Sequence, residues 1–184
     1  MHNHAHSHLL DTASGVSFDI FNPSKDDIRL EDIGLALANQ CRFNGHVSRF
    51  YSVAEHCVVA SLRCDPRHAL HVLLHDAAEA YIGDIARPIK RLFAGIETIE
   101  ERILAEIYLA LGINCPSLEA RAEIEVADLR MLATEKRQLL PNSGEWPVLD
   151  GVDPYFENGK PLRLSCWSPE RAMSEFSLRL DELL

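Results

Sequence analysis

A histidine and an aspartate stand side by side, His75-Asp76, inside the otherwise apolar run HALHVLLHDAAEAYIGD. A charged aspartate is rarely buried in a helix without a cation or several donors to hold it. Asp76 therefore demands a partner, and the His75 imidazole can turn a ring nitrogen to the same point. Glu79 lies four residues after His75 and three after Asp76, which on a helix is the same face. One helix cannot close a coordination sphere, so isolated polar residues on the other apolar segments become candidates. Two stand out: His56 in VAEHCVVA and Asp128 in IEVADLRML. Two imidazoles and two carboxylates suit one divalent ion (Mn²⁺, Co²⁺, Fe²⁺, Mg²⁺ or Zn²⁺), with positions left for water and substrate. Taken singly, each has an ordinary structural reading: His56 as a core histidine donating to a carbonyl, Asp128 as a partner of Arg121 or Arg130. The pair His71 and His75 in HVLLH mimics a zinc-protease helix, but Val72 stands where the general-base glutamate belongs.

The elements that must position these residues are helical. Glu31 to Gln40 is a short amphipathic helix, and CRFNGHVSRFY, with Asn-Gly and no 3.6 period, is a loop. Ser52 with Glu55 three places later forms a capping-box pattern that opens a helix to about Arg63. Pro66 opens another, to about Ile82, ended by Gly83. Further helices start at Pro88, run from about Thr98 to Leu111 and from Ser117 to Leu140, and close the chain from Ser168-Pro169. Between them, Pro141 to Ser165 is an irregular connection long enough to be a functional loop. The alternation in VSFDIF predicts a short extended arm near the N-terminus. The fold class expected is all-α, a bundle of about six helices, as a single domain over residues 11–184. Residues 1–10, with histidine at positions 2, 4, 6 and 8, read as a disordered tail that adsorbs metal adventitiously.

Composition bounds the function classes. Eighteen basic against 28 acidic residues leave a formal charge of -10, which repels long nucleic acids and anionic membranes. A small phosphorylated substrate remains compatible, because one cation and a few local basic groups reverse the sign inside a pocket. The basic residues flanking the apolar helices, Arg42, His46, Arg87 and Lys90, are the candidates for holding phosphate. Five cysteines without a CxxC pair indicate neither a disulfide framework nor a thiolate zinc site. With no membrane-span or signal pattern, the cytoplasm is the expected compartment.

His56, then His75-Asp76, then Asp128 resembles the H…HD…D signature of the HD-domain phosphohydrolase superfamily. RFNGH, YSVAEH, LLHDAAEAYIGDIARPIK and EVADLRMLATE look like consecutive blocks of a bacterial branch related to the 5'-deoxynucleotidases, and CWSPERAMSEF echoes its closing helix. The resemblance implies an HD-type helical fold, the four residues as ligands of one ion, and a metal-bound water that attacks phosphorus. It implies catalytic roles for Glu79, at the water, and for Asp84, at the leaving oxygen or the sugar. It also places Arg42 near an arginine that these nucleotidases carry upstream of their first metal histidine. No histidine follows His75, so the dinuclear relatives are disfavoured. Ala80 stands where the guanosine-tetraphosphate hydrolases carry the second acid of HDxxED. The function expected is a phosphomonoesterase on small nucleotides, with deoxyribonucleoside 5'-monophosphates as one candidate substrate. A phosphodiesterase or triphosphohydrolase, a guanosine-tetraphosphate hydrolase as a minor branch, and a non-catalytic nucleotide-binding module stand as alternatives. Homodimers are expected only by analogy with related enzymes.

Overall fold

In the computed structural model, which describes residues 8–184, Leu9–Asp11 (β1) pairs antiparallel with Ser17–Asp19 (β2). This is the extended arm that the alternation in VSFDIF announces. The expected tail boundary shifts accordingly: residues 8–10 belong to the hairpin, and the reading of residues 1–7 lies outside the described residues. Phe18, wholly buried, anchors the arm by stacking on Tyr81 at 3.9 Å between ring centroids. The hairpin turn is tied down by Asp32, whose carboxylate accepts the Ser14 backbone N–H at 2.9 Å and its hydroxyl at 2.6 Å.

The rest is mostly helical: α1 (Leu30–Asn39), α2 (Val53–Ser61), α3 (Ala69–Leu74), α4 (Glu79–Ile82), α5 (Arg87–Lys90), α6 (Ile96–Ala110), α7 (Leu118–Leu139) and α8 (Pro169–Leu183). The expected caps are present. Ser52, Ser117 and Ser168 each accept a backbone N–H from three residues on, which satisfies one of the orphan donors of a first turn. The capping box at α2 is only half formed. Glu55 turns away from Ser52 and accepts the N–H groups of Cys166 and Trp167 at 2.9 and 2.6 Å, pinning the chain just before α8. No helix among the described residues is long and apolar enough to cross a membrane.

One expected helix, Pro66 to Ile82, is broken into three pieces. A 3₁₀ turn over Pro66–His68 leads into α3, and residues 75–78 form tight turns before α4. Ala77 N–H reaches Leu74 O and Glu79 N–H reaches Asp76 O, both three residues back and at 2.9 Å. Three residues per turn eclipse side chains at i and i+3, which sets Glu79 directly over Asp76. The irregular stretch from 141 to 165 contains a short turn over Pro147–Leu149 and a two-residue hairpin, Phe156–Glu157 (β3) with Lys160–Pro161 (β4).

Two apolar clusters hold these elements. Phe18, Leu37, Leu73, Ile107 and Phe176 belong to one, Tyr51, Val72, Met131 and Leu139 to the other. α8 lies on α1, α2 and α3, while α7 packs on α2 and α3. Each fully buried Leu, Ile or Phe contributes about 1.5–3 kcal/mol relative to exposure. α2 is buried on almost every side, as a helix apolar all round must be. Because α2 and α3 feed both clusters, the polar residues they carry are trapped at the seam between them.

Candidate metal centre

The seam brings together residues far apart in the chain. His56, at zero exposure on α2, places its Nε2 3.3 Å from His75 Nε2, 3.7 Å from Asp76 Oδ2 and 3.5 Å from Asp128 Oδ1. His75 Nε2 is 3.2 Å from Asp76 Oδ2. His56, His75 and Asp76 form the group whose donor atoms all lie within 4.8 Å of one another and can hold a metal ion. Asp128, on α7, stands beside His56 but outside that group, and its second oxygen is hydrogen-bonded by Arg87. Neither Arg121 nor Arg130 pairs with it: Arg121 bonds the Pro116 carbonyl and Arg130 that of Asp153.

The proton positions on the two rings follow from their other neighbours. His56 Nδ1 lies 2.6 Å from a Glu135 carboxylate oxygen and His75 Nδ1 lies 2.7 Å from the Val72 carbonyl. Both of those partners only accept, so each Nδ1 carries a hydrogen and each Nε2 is the nitrogen that faces the cluster. The two Nε2 atoms, 3.3 Å apart with carboxylate oxygens alongside, would both offer lone pairs to a cation when the rings are neutral. This donor set fits a divalent cation.

The titration of the surrounding groups reflects the crowding of acids at this point. Burial opposes charge on His75, yet the Asp76 carboxylate beside it lifts its pKa well above the ordinary value. Burial likewise works against the Asp76 anion, but His75, His56 and Arg42 hold it far below the usual carboxylate range. Glu79 goes the other way. Burial and the negative charges of Asp76 and Asp84 push it well above the usual range, against the pull of Lys90. Neighbouring acids driven in opposite directions are the arrangement in which one stays an anion and the other keeps a proton.

The cluster opens into a cavity of about 520 Å³, within the range that accommodates small ligands. Asp76, Glu79, Asp84, Arg87, Lys90, Asp128 and Arg42 line its polar side. One oxygen of Glu79 is buried without a hydrogen-bond partner, and Lys90 Nζ stands 3.5 Å from the other and 2.6 Å from Glu100. Asp84 lines the cavity from the chain after α4, and burial raises its pKa, with Asp76 adding to the rise and Arg42 opposing it.

Of the expected phosphate-binding residues, Arg42, Arg87 and Lys90 line the cavity and His46, which is exposed, does not. Left-handed conformations at Phe43, Asn44 and Gly45 reverse the chain there, with Arg42 inside and His46 outside. Arg42 is only 8% exposed and is held by the site's own acids: its Nε and Nη2 each lie 3.1 Å from Glu135 Oε2, and its Nη1 3.6 Å from Asp76. It is a buried cation that holds two carboxylates while lining the cavity.

Sequence reasoning missed Glu135 and Gln40. Glu135 is wholly buried between His56 and Arg42, which outweigh the cost of burial and keep it an anion. The signal was available, since Glu135 follows Asp128 by two helical turns on the same face of α7. Gln40 donates to the Glu79 carbonyl and accepts the Asp84 backbone N–H, both at 2.9 Å, clamping the two ends of α4. Nothing in its local sequence marks that role.

Fold and site together define a class: a mostly helical protein whose packed core carries a histidine-carboxylate cluster able to hold a metal ion. No family model matches the chain. It is 44% identical over 176 residues, 95% of each chain, to "Uncharacterized protein YfdR" of Escherichia coli (strain K12). It is 31% identical over 185 residues, 93% of each chain, to "Uncharacterized protein RCAP_rcc00048" of Rhodobacter capsulatus. The chain belongs to the family of these proteins.

Proposed function

We propose that this protein is a metal-dependent phosphohydrolase of the HD type, acting on small nucleotides as a phosphomonoesterase. The observation that carries the reading is the convergence of His56 Nε2, His75 Nε2, Asp76 Oδ2 and Asp128 Oδ1 at a cavity that also presents Arg87 and Lys90. His56, His75, Asp76 and Asp128 would hold the ion. When bound, a divalent ion in such a site supplies a Lewis acid and lowers the pKa of water. The chain's own residues do the rest. Glu135 and Val72 fix the two rings by their Nδ1 hydrogens, so that the Nε2 lone pairs stay aimed at one point. Lys90 and Arg87 bring positive charge to the cavity for a phosphate dianion. Glu79, with an unpartnered buried oxygen, exchanges a proton with the attacking water. Asp84 protonates the leaving oxygen or positions the sugar.

The test is phosphate release from a panel of nucleoside monophosphates after loading with Mn²⁺, Co²⁺, Mg²⁺ or Zn²⁺, alongside metal content. Asp76→Ala should lose both turnover and about one equivalent of tightly bound ion relative to wild type. Comparing full-length chains cancels whatever the histidines near the N-terminus adsorb. Turnover that survives in Asp76→Ala rejects the proposal.

A further inference from the structure

Phe43, Leu132, Trp146, Pro147 and Val148 form an apolar and aromatic part of the cavity wall, and the Arg42 guanidinium lies 5.4 Å from the Phe43 ring centroid. A phosphate or a hydrated sugar phosphate has no use for such a wall. Phe43 is held there at a cost, because it and Asn44 both adopt left-handed backbone conformations, φ 58° and 53°, that residues with side chains avoid. Its ring lies 6.2 Å from that of Trp146 at an interplanar angle of 52°, so the two rings are not stacked on each other. Lys136 Nζ sits over the Trp146 ring, 5.6 Å from its centroid, which steadies the indole from one side. Trp146 itself precedes the Pro147–Leu149 turn that packs on α7, the helix that also carries Asp128. The segment that carries Trp146 therefore rests on the helix that brings Asp128 to the cluster.

We infer that Trp146, with Phe43 as its neighbour, is the specificity surface of the site and stacks the flat aromatic ring of a phosphate ester whose phosphate lies at the metal cluster. The inference rests on the proposed function only in taking this cavity to be the substrate site. It assigns the substrate class as phosphomonoesters bearing a planar heteroaromatic group and disfavours simple sugar phosphates. Stacking is tolerant of which ring is bound, because every base presents a π face, so discrimination among bases should be weak.

The chain has two tryptophans, so Trp167→Phe leaves Trp146 as the sole indole fluorophore. In that variant a purine nucleoside and its 5'-monophosphate should each quench the emission saturably, while ribose 5-phosphate should not. In the otherwise native chain, Trp146→Leu should raise KM for the nucleoside monophosphate about tenfold and leave that for ribose 5-phosphate unchanged, and Trp146→Phe should restore most of the loss. Quenching by the nucleoside without any phosphate release supports the aromatic surface while rejecting the hydrolase reading. Absence of quenching by nucleoside and monophosphate alike overturns the inference, as does an equal loss for both substrates in Trp146→Leu.

Discussion

His56 Nδ1 and Glu135 Oε1 are 2.6 Å apart, both at zero exposure, and were brought together from 79 residues apart in the chain. The carboxylate sets which nitrogen of His56 carries the hydrogen and therefore which one faces the cluster. It also neutralises the buried Arg42. Replacing it tests both roles. Glu135→Gln keeps an acceptor for the ring hydrogen but loses the charge, and should weaken divalent-ion affinity about 10–100-fold in a metal titration. Glu135→Ala strands Arg42 and should cost about 3–5 kcal/mol in urea unfolding. Equal effects for the two variants would show that charge and orientation are not separable here.

Glu79 and the metal cluster are expected to fail in different ways. Glu79→Gln should retain the ion, because Glu79 is not among the four residues proposed to hold it. Its turnover should fall about 10²–10⁴-fold if the residue exchanges a proton during the reaction. Metal content and kcat measured on one preparation decide this, and loss of the ion together with activity would make Glu79 a ligand instead.

Glu55 accepts two backbone N–H groups in a wholly buried position and joins α2 to the segment before α8. Glu55→Ala leaves both donors unsatisfied, at about 1–3 kcal/mol each. A glutamine has one carbonyl oxygen and satisfies only one of them, so Glu55→Gln should fall between alanine and wild type in denaturant stability. Amide exchange should speed up at Cys166 and Trp167 before it does in α1.

Asp65 provides a pH-dependent test far from the cluster. Hydrogen bonds from the Arg67 side chain and backbone lower its pKa to about 2. An unfolded aspartate titrates at about 3.9. A depressed folded pKa means that the carboxylate stabilises the fold above the unfolded value, and that this contribution fades as pH falls through about 2. Asp65→Asn should therefore lower Tm at pH 7, with the gap to wild type closing between about pH 4 and pH 2. A gap independent of pH would assign the effect to the geometry of the hydrogen bonds with Arg67 and not to charge.

Much of this architecture was legible before any coordinates. The serines at 52, 117 and 168 cap the helices they announce, and the polar residues isolated on apolar helices, His56 and the pair at 75 and 76, do converge. Other features were hidden for specific reasons. A helical pattern continues through residues 75–78, so the tight turns there carry no sequence mark: alanines at 77 and 78 suit a helix and a 3₁₀ turn equally. Glu55 looked like half of a capping box because local spacing cannot reveal an acceptor used by residues more than a hundred positions away.

Residue types and their order by themselves indicated that this chain folds as helices and that His56, His75, Asp76 and Asp128 should meet, because unpaired buried charge is too costly to be accidental. Only the tertiary structure decided how Arg42 would be used, that His46 would face solvent, and that Glu135 and Gln40 would orient the cluster and its flanking acids. The reason is physical. Periodicity is a property of neighbours along one element, whereas a hydrogen bond across the seam between two apolar clusters depends on how separate helices pack, and no single stretch of sequence encodes that distance.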